Sequence, residues 1–282
     1  MVEALHAVAD DVPPSVRSWR NRLAEYLREA ASRLEVTLVG DLTFGLTESS
    51  VGCRAVGSNS HYWLRVIATD PDRVEYRAGA SAATAIEGVA KPSLLRVSEW
   101  TVDDGLALRA ELLTLAPSPA CSSSVTPPPG LELPDRWWAS LRRSLDALAS
   151  WPTERTCLTQ EIITTQQLVF FGRRPEPISS WSTAHGDLHW ANLTAPECCL
   201  LDWESWGRAP TGYDAAALYC VSLVQPTLAT RVWRAFADIL EGPAGTQALL
   251  CAAAKTLTMV HDGLATTDLA EPVHRLARRL LG

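Results

Sequence analysis

The chain has 282 residues and a formal net charge of -7, with 47% hydrophobic and 20% charged residues. This length can bury the core of one large or two modest domains, and the composition is ordinary for a soluble globular protein. The acidic balance argues against a nucleic-acid partner, whose phosphates would require a basic face, and no apolar run approaches the roughly 18 residues that a transmembrane helix needs.

The cysteines and the N-terminus predict a cytoplasmic protein. Seven cysteines, an odd number without a C-x-x-C pair, fit neither a zinc knuckle nor a secreted disulfide framework. Residues 1–11 carry three acidic side chains and lack the basic start and the long apolar stretch of a signal peptide. We therefore expect reduced thiols and no membrane partner.

The first part of the chain predicts one helix followed by a small antiparallel sheet. Apolar side chains recur at alternating steps of three and four from residue 14 to 34, which is typical of an amphipathic helix. Short apolar runs separated by Gly, Ser and Asn then predict strands, and Leu64 and Arg65 are expected on opposite faces of the third one. The strands are expected at 35–40, 51–56, 61–68, 93–99 and 106–115.

A stretch rich in proline and serine, 117–134, separates this sheet from a helical second part. Such a stretch can form neither a helix nor a central strand, so we place a domain boundary near Leu115, between residues 1–115 and 116–282. Beyond it, a helical period predicts most of the structure, and the apolar run 198–201 predicts a buried strand. The helices are expected from Pro134 onward and at 161–171, 214–224, 227–240, 246–261 and 270–281.

The most informative segment is 185–192, which reads H-G-D-L-H-W-A-N and is followed ten positions later by Asp202. Asp187, Asn192 and Asp202 have the order and spacing of a kinase catalytic loop and its metal-binding strand. Transfer of a phosphoryl group to an alcohol requires mainly positioning and charge control. Asp187 is the candidate that accepts the hydroxyl proton, and the oxygens of Asn192 and Asp202 suit magnesium.

At these positions the chain resembles the aminoglycoside phosphotransferase and choline kinase-like family. The family pattern is roughly H-G-D-x-H-x-x-N followed by D-W-E or D-x-E, and the segment 212–214, G-Y-D, resembles its acidic start to the next helix. Gly186 stands where protein kinases carry arginine, which points away from the protein-kinase branch. The resemblance is strong only over about 180–220. The matching residues are His185, Gly186, Asp187, His189, Asn192, Asp202, Trp203 and Glu204.

The resemblance implies an α+β protein with the two-lobed protein kinase-like fold. Residues 1–115 would form a small N-terminal antiparallel β lobe that begins with a helix and binds the nucleotide. Residues 116–282 would form a larger, mostly helical C-terminal lobe that carries catalysis and the acceptor site. The implied cofactors are ATP or GTP with Mg. The implied partner is a small polar molecule with a hydroxyl group, such as an aminoglycoside-like antibiotic.

The resemblance also assigns roles by position in the motif. Asp187 becomes the catalytic aspartate, and Asn192 and Asp202 become the magnesium ligands. His185 is expected to brace the loop from below. Asp214 is expected to cap its own helix and to accept hydrogen bonds from the catalytic loop.

The first half of the chain departs from the kinase pattern. Its glycines are too widely spaced for a G-x-G-x-x-G loop, although backbone N–H groups with the hydroxyls of Ser49 and Ser50 can cradle phosphate without that spacing. Arg65 occupies the position of the phosphate-binding lysine. It either holds phosphate through its guanidinium or is an exposed strand arginine. Glu87 is the nearest carboxylate expected to hold it in place.

Two further carboxylates are candidates for acceptor binding. Glu204 either binds a cationic acceptor or lies at the strand end, and Asp262 either approaches the acceptor or is a charge at a helix end. Aromatic faces near the motif either hold an ammonium or a sugar ring, or pack in the core. Those aromatic residues are Trp181, Trp190, Trp203 and Trp206.

Two other classes of protein remain open. The missing glycine pattern and lysine are also what a kinase-like binding protein without catalysis would show. A metal hydrolase is the third class, because His185, Asp187 and His189 alternate as ligands on an extended segment would.

Overall fold

The computed structural model describes residues 13–57, 60–70, 78–102 and 105–282. These residues divide into two compact units. The first comprises the described residues up to Thr84 together with Pro92–Ala116, and the second comprises Ala85–Lys91 and Pro117–Gly282. The segment Ala85–Lys91, which includes Glu87, thus groups with the second unit, whereas the sequence placed it in the first.

The first unit is one helix and a six-stranded sheet in which every pairing is antiparallel. The strand order is β1-β3-β4-β6-β5, and β2 pairs with β3 beside β1. The predicted strand 35–40 is shorter than expected, and β2 was not predicted. The elements are α1 Pro14–Arg33, β1 Thr37–Leu38, β2 Thr43–Phe44, β3 Ser50–Gly57, β4 Ser60–Thr69, α2 Gly79–Ala83, β5 Leu94–Thr101 and β6 Ala107–Thr114.

The core of the first unit lies between α1 and one face of the sheet. Leu23 and Leu27, one helical turn apart on α1, are fully buried, as is Leu64 on β4. The neighbouring strands contribute Cys53 from β3 and Leu112 from β6 to the same cluster. The predicted separation of Leu64 from Arg65 is confirmed, because Arg65 pairs with charged groups while Leu64 joins the apolar core.

A buried ionic network joins β4 and β6. Arg65 lies directly opposite Glu111 in the strand register, and its guanidinium contacts the Glu111 carboxylate at 2.8 Å. Arg109, two residues before Glu111 and on the same face, contacts the other carboxylate oxygen at 2.8 Å and reaches Glu99 at 2.7 Å. Glu111 is completely buried. Burying a charge of this kind costs desolvation free energy, and only its ionic partners offset that cost.

We expect Glu111→Gln to lower the free energy of unfolding by about 3 kcal/mol or more, because both arginines would then lie in the sheet without their shared counter-ion. Urea unfolding followed by circular dichroism measures the change. Glu99→Gln is the matched control: the Glu99 side chain is 56% exposed, and its loss should cost less than about 1 kcal/mol. Equal losses for the two variants would show that the network does not stabilise the sheet.

The second unit is mostly helical, with one two-stranded sheet. Prolines at the first turn begin α6 and α7, and Thr159 caps α4 by accepting a hydrogen bond from the N–H of Ile162. The elements are α3 Asp135–Ala149, α4 Gln160–Phe171, β7 Trp181–Ala184, β8 Gly207–Pro210, α5 Tyr213–Ser222, α6 Pro226–Leu240, α7 Pro243–His261 and α8 Ala270–Leu281, with 3-10 turns at Trp190–Asn192 and Thr267–Leu269.

The predicted helices of the second unit are confirmed, but the predicted strand 198–201 is wrong. Only Leu200 pairs there, in an isolated bridge to Leu193, although the run is buried as expected. Four apolar residues are too few to distinguish a strand from a buried turn by periodicity. The strands β7 and β8, which flank the motif, were not predicted.

Each of the seven cysteines is a free thiol. Burial is the largest influence on all of them, and it raises their pKa, to about 12 for Cys157 and to about 11 for Cys199. These thiols therefore stay protonated and unreactive at neutral pH. Across the described ranges, no helix is both long and apolar enough to cross a membrane.

Candidate active site

The motif begins where β7 ends. β7 pairs with β8 from Trp181 opposite Pro210 to Ala184 opposite Gly207, and His185 follows directly. The chain is then held by Asp214, in the first turn of α5. Its carboxylate accepts the N–H of His185 at 2.7 Å and the N–H of Gly186 at 3.0 Å. One carboxylate thus fixes two successive peptide groups at the entrance to the loop.

Asp214 is buried, and its burial raises the pKa of its carboxyl group above the ordinary value. The charge of His185 and the two backbone hydrogen bonds act in the opposite direction, and the charge of Asp187 raises the pKa further. The two N–H donors therefore stabilise a carboxylate that its surroundings otherwise disfavour. This confirms the expected hydrogen bonds from the loop to Asp214, while no side-chain cap is found at the start of α5.

Gly186 is required by its backbone and by its neighbours. Its φ is 83°, a region that residues with a side chain rarely adopt. A Cβ at this position would clash with the Cys157 sulfur and would lie 2.7 Å from the backbone oxygen of Ser205. The arginine that protein kinases carry here has no space in this loop.

We expect Gly186→Ala to abolish the local loop structure and to destabilise the second unit by several kcal/mol, because the new methyl group meets Cys157 and a backbone oxygen that cannot move aside. Gly130→Ala is the matched control. Gly130 has a φ of 71° but open space around it, so only the backbone strain of about 1 kcal/mol remains. Thermal unfolding compares the two, and similar losses would contradict the steric argument.

Asp187 and Asn192 face each other across the loop. The Asn192 amide nitrogen donates to the backbone oxygen of Asp187 at 2.9 Å and lies 3.4 Å from the carboxylate oxygen Oδ2. With its nitrogen turned toward Asp187, the Asn192 amide presents its oxygen on the other side, where a cation can use it. The Asp187 side chain is 35% exposed, so a substrate hydroxyl can reach it.

The pKa of the Asp187 carboxyl group lies below its ordinary value. Desolvation is the largest influence and raises it, but the hydrogen bond and charge of His189 and the charges of His185 and Lys255 together outweigh desolvation. The His189 Nε2 atom lies 3.4 Å from the Asp187 carboxylate. Asp187 is therefore ionised at neutral pH and able to accept a hydrogen bond from a hydroxyl group.

Trp190 anchors the loop from below. Its side chain is completely buried, its indole N–H donates to the Ser222 hydroxyl at 2.9 Å, and its ring lies 6.1 Å from the ring of Trp137 and 6.3 Å from that of Trp138. Aromatic packing of this kind holds the 3-10 turn Trp190–Asn192 against α3. Trp190 therefore packs in the core. Trp203 and Trp206 are buried as well.

Asp202 is brought beside Asn192 by a short turn. The N–H of Leu201 donates to the backbone oxygen of Asn192 at 2.9 Å, and His185 Nε2 donates to the backbone oxygen of Leu201 at 2.8 Å. Asp202 itself is exposed and has a φ of 60°. An unusual backbone at an exposed carboxylate fits a functional site. His185 thus holds the turn that leads to Asp202.

The donor set suits magnesium better than a transition metal. Asn192 and Asp202 offer an amide oxygen and a carboxylate, and magnesium takes its remaining ligands from phosphates and water. A metal hydrolase would need a cluster of three or more His, Cys, Asp or Glu side chains, and the part of the chain that the structure describes holds none placed for a metal. His185 also directs its Nε2 to a backbone oxygen rather than toward Asp187. His185 is therefore not placed as a metal ligand beside Asp187.

The candidates for nucleotide binding lie in different surroundings. Arg65 is paired with Glu111, which sequence reasoning missed, while Glu87 is exposed in the second unit. Ser49 lies in the turn between β2 and β3, and Ser50 is the first residue of β3. Two residues of α1 contact that turn. Arg20 donates a hydrogen bond from its Nε to the Glu48 carboxylate at 2.8 Å, and the Trp19 indole N–H donates to the Glu48 backbone oxygen. These contacts join residues 28 and 29 positions apart, so no local pattern signals them.

The two acceptor candidates lie at element ends. Asp262 follows the last residue of α7, is exposed, and contacts the His261 ring at 2.9 Å. Glu204 is partly buried in the turn before β8, where Arg155 donates to its backbone oxygen at 3.0 Å. Asp262 therefore lies at a helix end. Neither Asp262 nor Glu204 lines the small pocket beside Asp187.

That pocket contains a cation that sequence reasoning missed. Lys255, on α7, lines it together with Asp187 and Tyr213. The sequence offered one indirect signal: Lys255 is one of only two lysines in a chain with 25 Lys and Arg residues. Its distance of 68 positions from Asp187 concealed the contact.

No protein-family model matches the sequence, and no curated protein matches it. Similarity appears in the solved structures. Aminoglycoside phosphotransferase APH(4)-Ia matches with a TM-score of 0.59 at 12% identity, over 92% of this chain and 98% of that one. A thermostable mutant of that enzyme, in a ternary complex with ADP and hygromycin B, matches with a TM-score of 0.57 at 12% identity, over 90% of this chain and 97% of that one.

A putative fructosamine-3-kinase from Haemophilus somnus 129PT matches with a TM-score of 0.54 at 10% identity, over 94% of this chain and 100% of that one. At such low identity these likenesses establish the fold. The chain has the α+β kinase-like fold that the aminoglycoside phosphotransferases share, as the sequence resemblance predicted.

Proposed function

We propose that this protein is a magnesium-dependent phosphotransferase that moves the terminal phosphate of ATP or GTP to a hydroxyl group of a small polar molecule. The observation that carries the proposal is the arrangement at the end of β7. There an ionised and accessible Asp187 is held by Asn192, and a backbone hydrogen bond ties Asn192 to the residue before Asp202. The kinase-like fold supports the same class of reaction.

The chemistry follows from the positions of these side chains. Asp187 orients the acceptor hydroxyl and takes its proton while the oxygen bonds to the terminal phosphorus and the bond to the nucleoside diphosphate breaks. Asn192 and Asp202 would hold magnesium, which when bound neutralises charge on the phosphates. His185 and Asp214 keep the loop in place through the backbone of Leu201 and of Gly186.

The nucleotide would be held by the first unit. Arg65 is the proposed phosphate ligand, with Ser49 in the turn after β2 and Ser50 at the start of β3 as further donors. Glu111 provides the carboxylate that orients Arg65, a role the sequence gave to Glu87. An aminoglycoside-like antibiotic is the acceptor that the family resemblance suggests, and the name of one structural neighbour includes hygromycin B.

We expect Asp187→Ala to lower kcat/KM by at least about 10²-fold, because the hydroxyl would lose the group that orients it and accepts its proton. Product formation with Mg and ATP or GTP, followed by mass spectrometry over a panel of hydroxyl acceptors, measures the loss. Asp268→Ala removes an exposed carboxylate outside the site and should leave the rate unchanged. Full activity in Asp187→Ala would exclude Asp187 as the base.

A second prediction concerns pH. Because the pKa of Asp187 is lowered, kcat/KM should be lost only below the pH at which an ordinary aspartate takes up its proton. His189 is the largest of the groups that lower this pKa, so His189→Gln should raise it and move the acid limb of the profile to higher pH. An acid limb that stays in place would show that Asp187 is not the group that titrates.

The alternative is a kinase-like nucleotide-binding protein without catalysis. Its support is the missing lysine and glycine pattern in the first unit. Thermal stabilisation by a nucleotide with magnesium, together with no product from any acceptor, would favour it over the phosphotransferase.

A further inference from the structure

The pocket beside Asp187 is formed by the catalytic loop and by two packed helices. α5 presents Tyr213, Ala217 and Val221, four residues apart and so on one face, and α7 presents a second face across from it. Most of the lining is apolar. The remaining lining residues are Gly186, Leu188, His189, Ala252, Lys255, Thr256 and Met259.

Lys255 is the cation of this pocket. It lies on the same face of α7 as Ala252 and Met259, three residues before it and four after, and is half-buried. Throughout the described residues, no group forms an ion pair or hydrogen bond with its ammonium. With the charge of Asp187 nearby but no hydrogen-bonded anion of its own, Lys255 is the donor in this pocket that an anionic group of a ligand would meet.

The charges of the lining distinguish two kinds of acceptor. Asp187 is its carboxylate, and Tyr213 adds no charge because burial raises its pKa well above the ordinary value. A polycationic acceptor would meet the like charge of Lys255 in a pocket with one carboxylate, and that carboxylate is needed for the chemistry. An acceptor with an anionic group gains an attraction there, and the compact ammonium of lysine binds carboxylate and phosphate alike.

We propose that Lys255 binds an anionic group of the acceptor, a carboxylate or a phosphate, and that the acceptor is a small hydroxyl compound bearing that group rather than a polycationic antibiotic. This inference rests on the proposed phosphotransferase function. Lys255 and Asp187 line one recess of about 20 Å³ that is partly open to solvent, so an acceptor bound over its mouth can direct its anion to the first and its hydroxyl to the second.

The anion takes no part in the bond changes. The hydroxyl oxygen bonds to phosphorus, the nucleoside diphosphate leaves, and the proton passes to Asp187, while the acceptor keeps its carboxylate or phosphate throughout. Lys255 is therefore a specificity residue. The competing role is purely indirect: Lys255 would stabilise the ionised form of Asp187 and touch no substrate.

Paired acceptors separate these roles. The probes are 4-hydroxybutyrate and its carboxamide, glycerate and its carboxamide, glycerol 3-phosphate and glycerol, and the polycations hygromycin B and kanamycin. Each is tested with Mg and ATP or GTP on the full chain. We expect product from charged members of the acid or phosphate pairs. For these, Lys255→Met should raise KM at least about tenfold with a smaller change in kcat, and Lys255→Arg should restore much of the affinity.

Lysine and methionine have similar length and helix propensity, so Lys255→Met should keep α7 intact. Arg279→Met, which removes an exposed charge from α8, is the matched control and should leave KM unchanged. Preference for the polycations or for the uncharged members would overturn the proposal. So would a Lys255→Met variant that loses kcat and shifts its acid limb to higher pH while KM stays constant, because that result assigns Lys255 to Asp187 alone.

Failure of the phosphotransferase function itself is recognised separately. If no acceptor of any class is phosphorylated, binding of the same pairs is measured by ligand-observed NMR with the parent chain and with Lys255→Met. Binding of the charged members alone, lost in Lys255→Met, would support an anion site without catalysis. Equal or absent binding of charged and uncharged members would overturn the proposal.

Discussion

The loop that carries Asp187 depends on two hydrogen bonds to one buried carboxylate. Asp214 accepts the N–H groups of His185 and Gly186, and so fixes the direction in which the chain leaves β7. The next residue is Asp187, whose exposure and environment follow from that direction. Gly212 makes the approach possible, since its φ of 88° turns the chain into α5 in a region that glycine readily adopts. The position of Asp187 therefore depends on the backbone geometry at the start of α5.

Sequence patterns reach only those parts of the proposed site that lie within one short segment. Roles for Asp187, Asn192 and Asp202 could be proposed because kinase chemistry fixes their order and spacing, and hydrogen bonds join Asn192 to Asp187 and the loop to Asp214. Contacts between distant segments could not be predicted. Arg65 meets Glu111 46 positions away, because β6 rather than β5 lies beside β4 in the sheet, and this strand order leaves no trace in a local pattern.

The same limit holds for the elements of the fold. Long amphipathic helices such as α1 and α3 were predictable because their apolar residues repeat over several turns. β7 and β8 have only four residues each and have no clear alternation of apolar residues, so they were missed. Leu200 and its neighbours are apolar because the turn that carries Asp202 is buried against the rest of the unit, not because they form a strand. Burial was predictable there, and the backbone pairing was not.

Asp187 and Asp214 show how one loop gives two carboxylates opposite tasks. Asp187 lies in the loop and Asp214 at its base, and the charge of Asp187 contributes to raising the pKa of Asp214. For Asp214 burial prevails and raises the pKa, and both of its oxygens already accept hydrogen bonds from backbone N–H groups, so this buried carboxylate holds the loop. For Asp187 the influence of His189, His185 and Lys255 outweighs burial and lowers the pKa. Environments that separate the pKa values of neighbouring acids divide structural from chemical roles, and here the accessible acid is the one kept ionised.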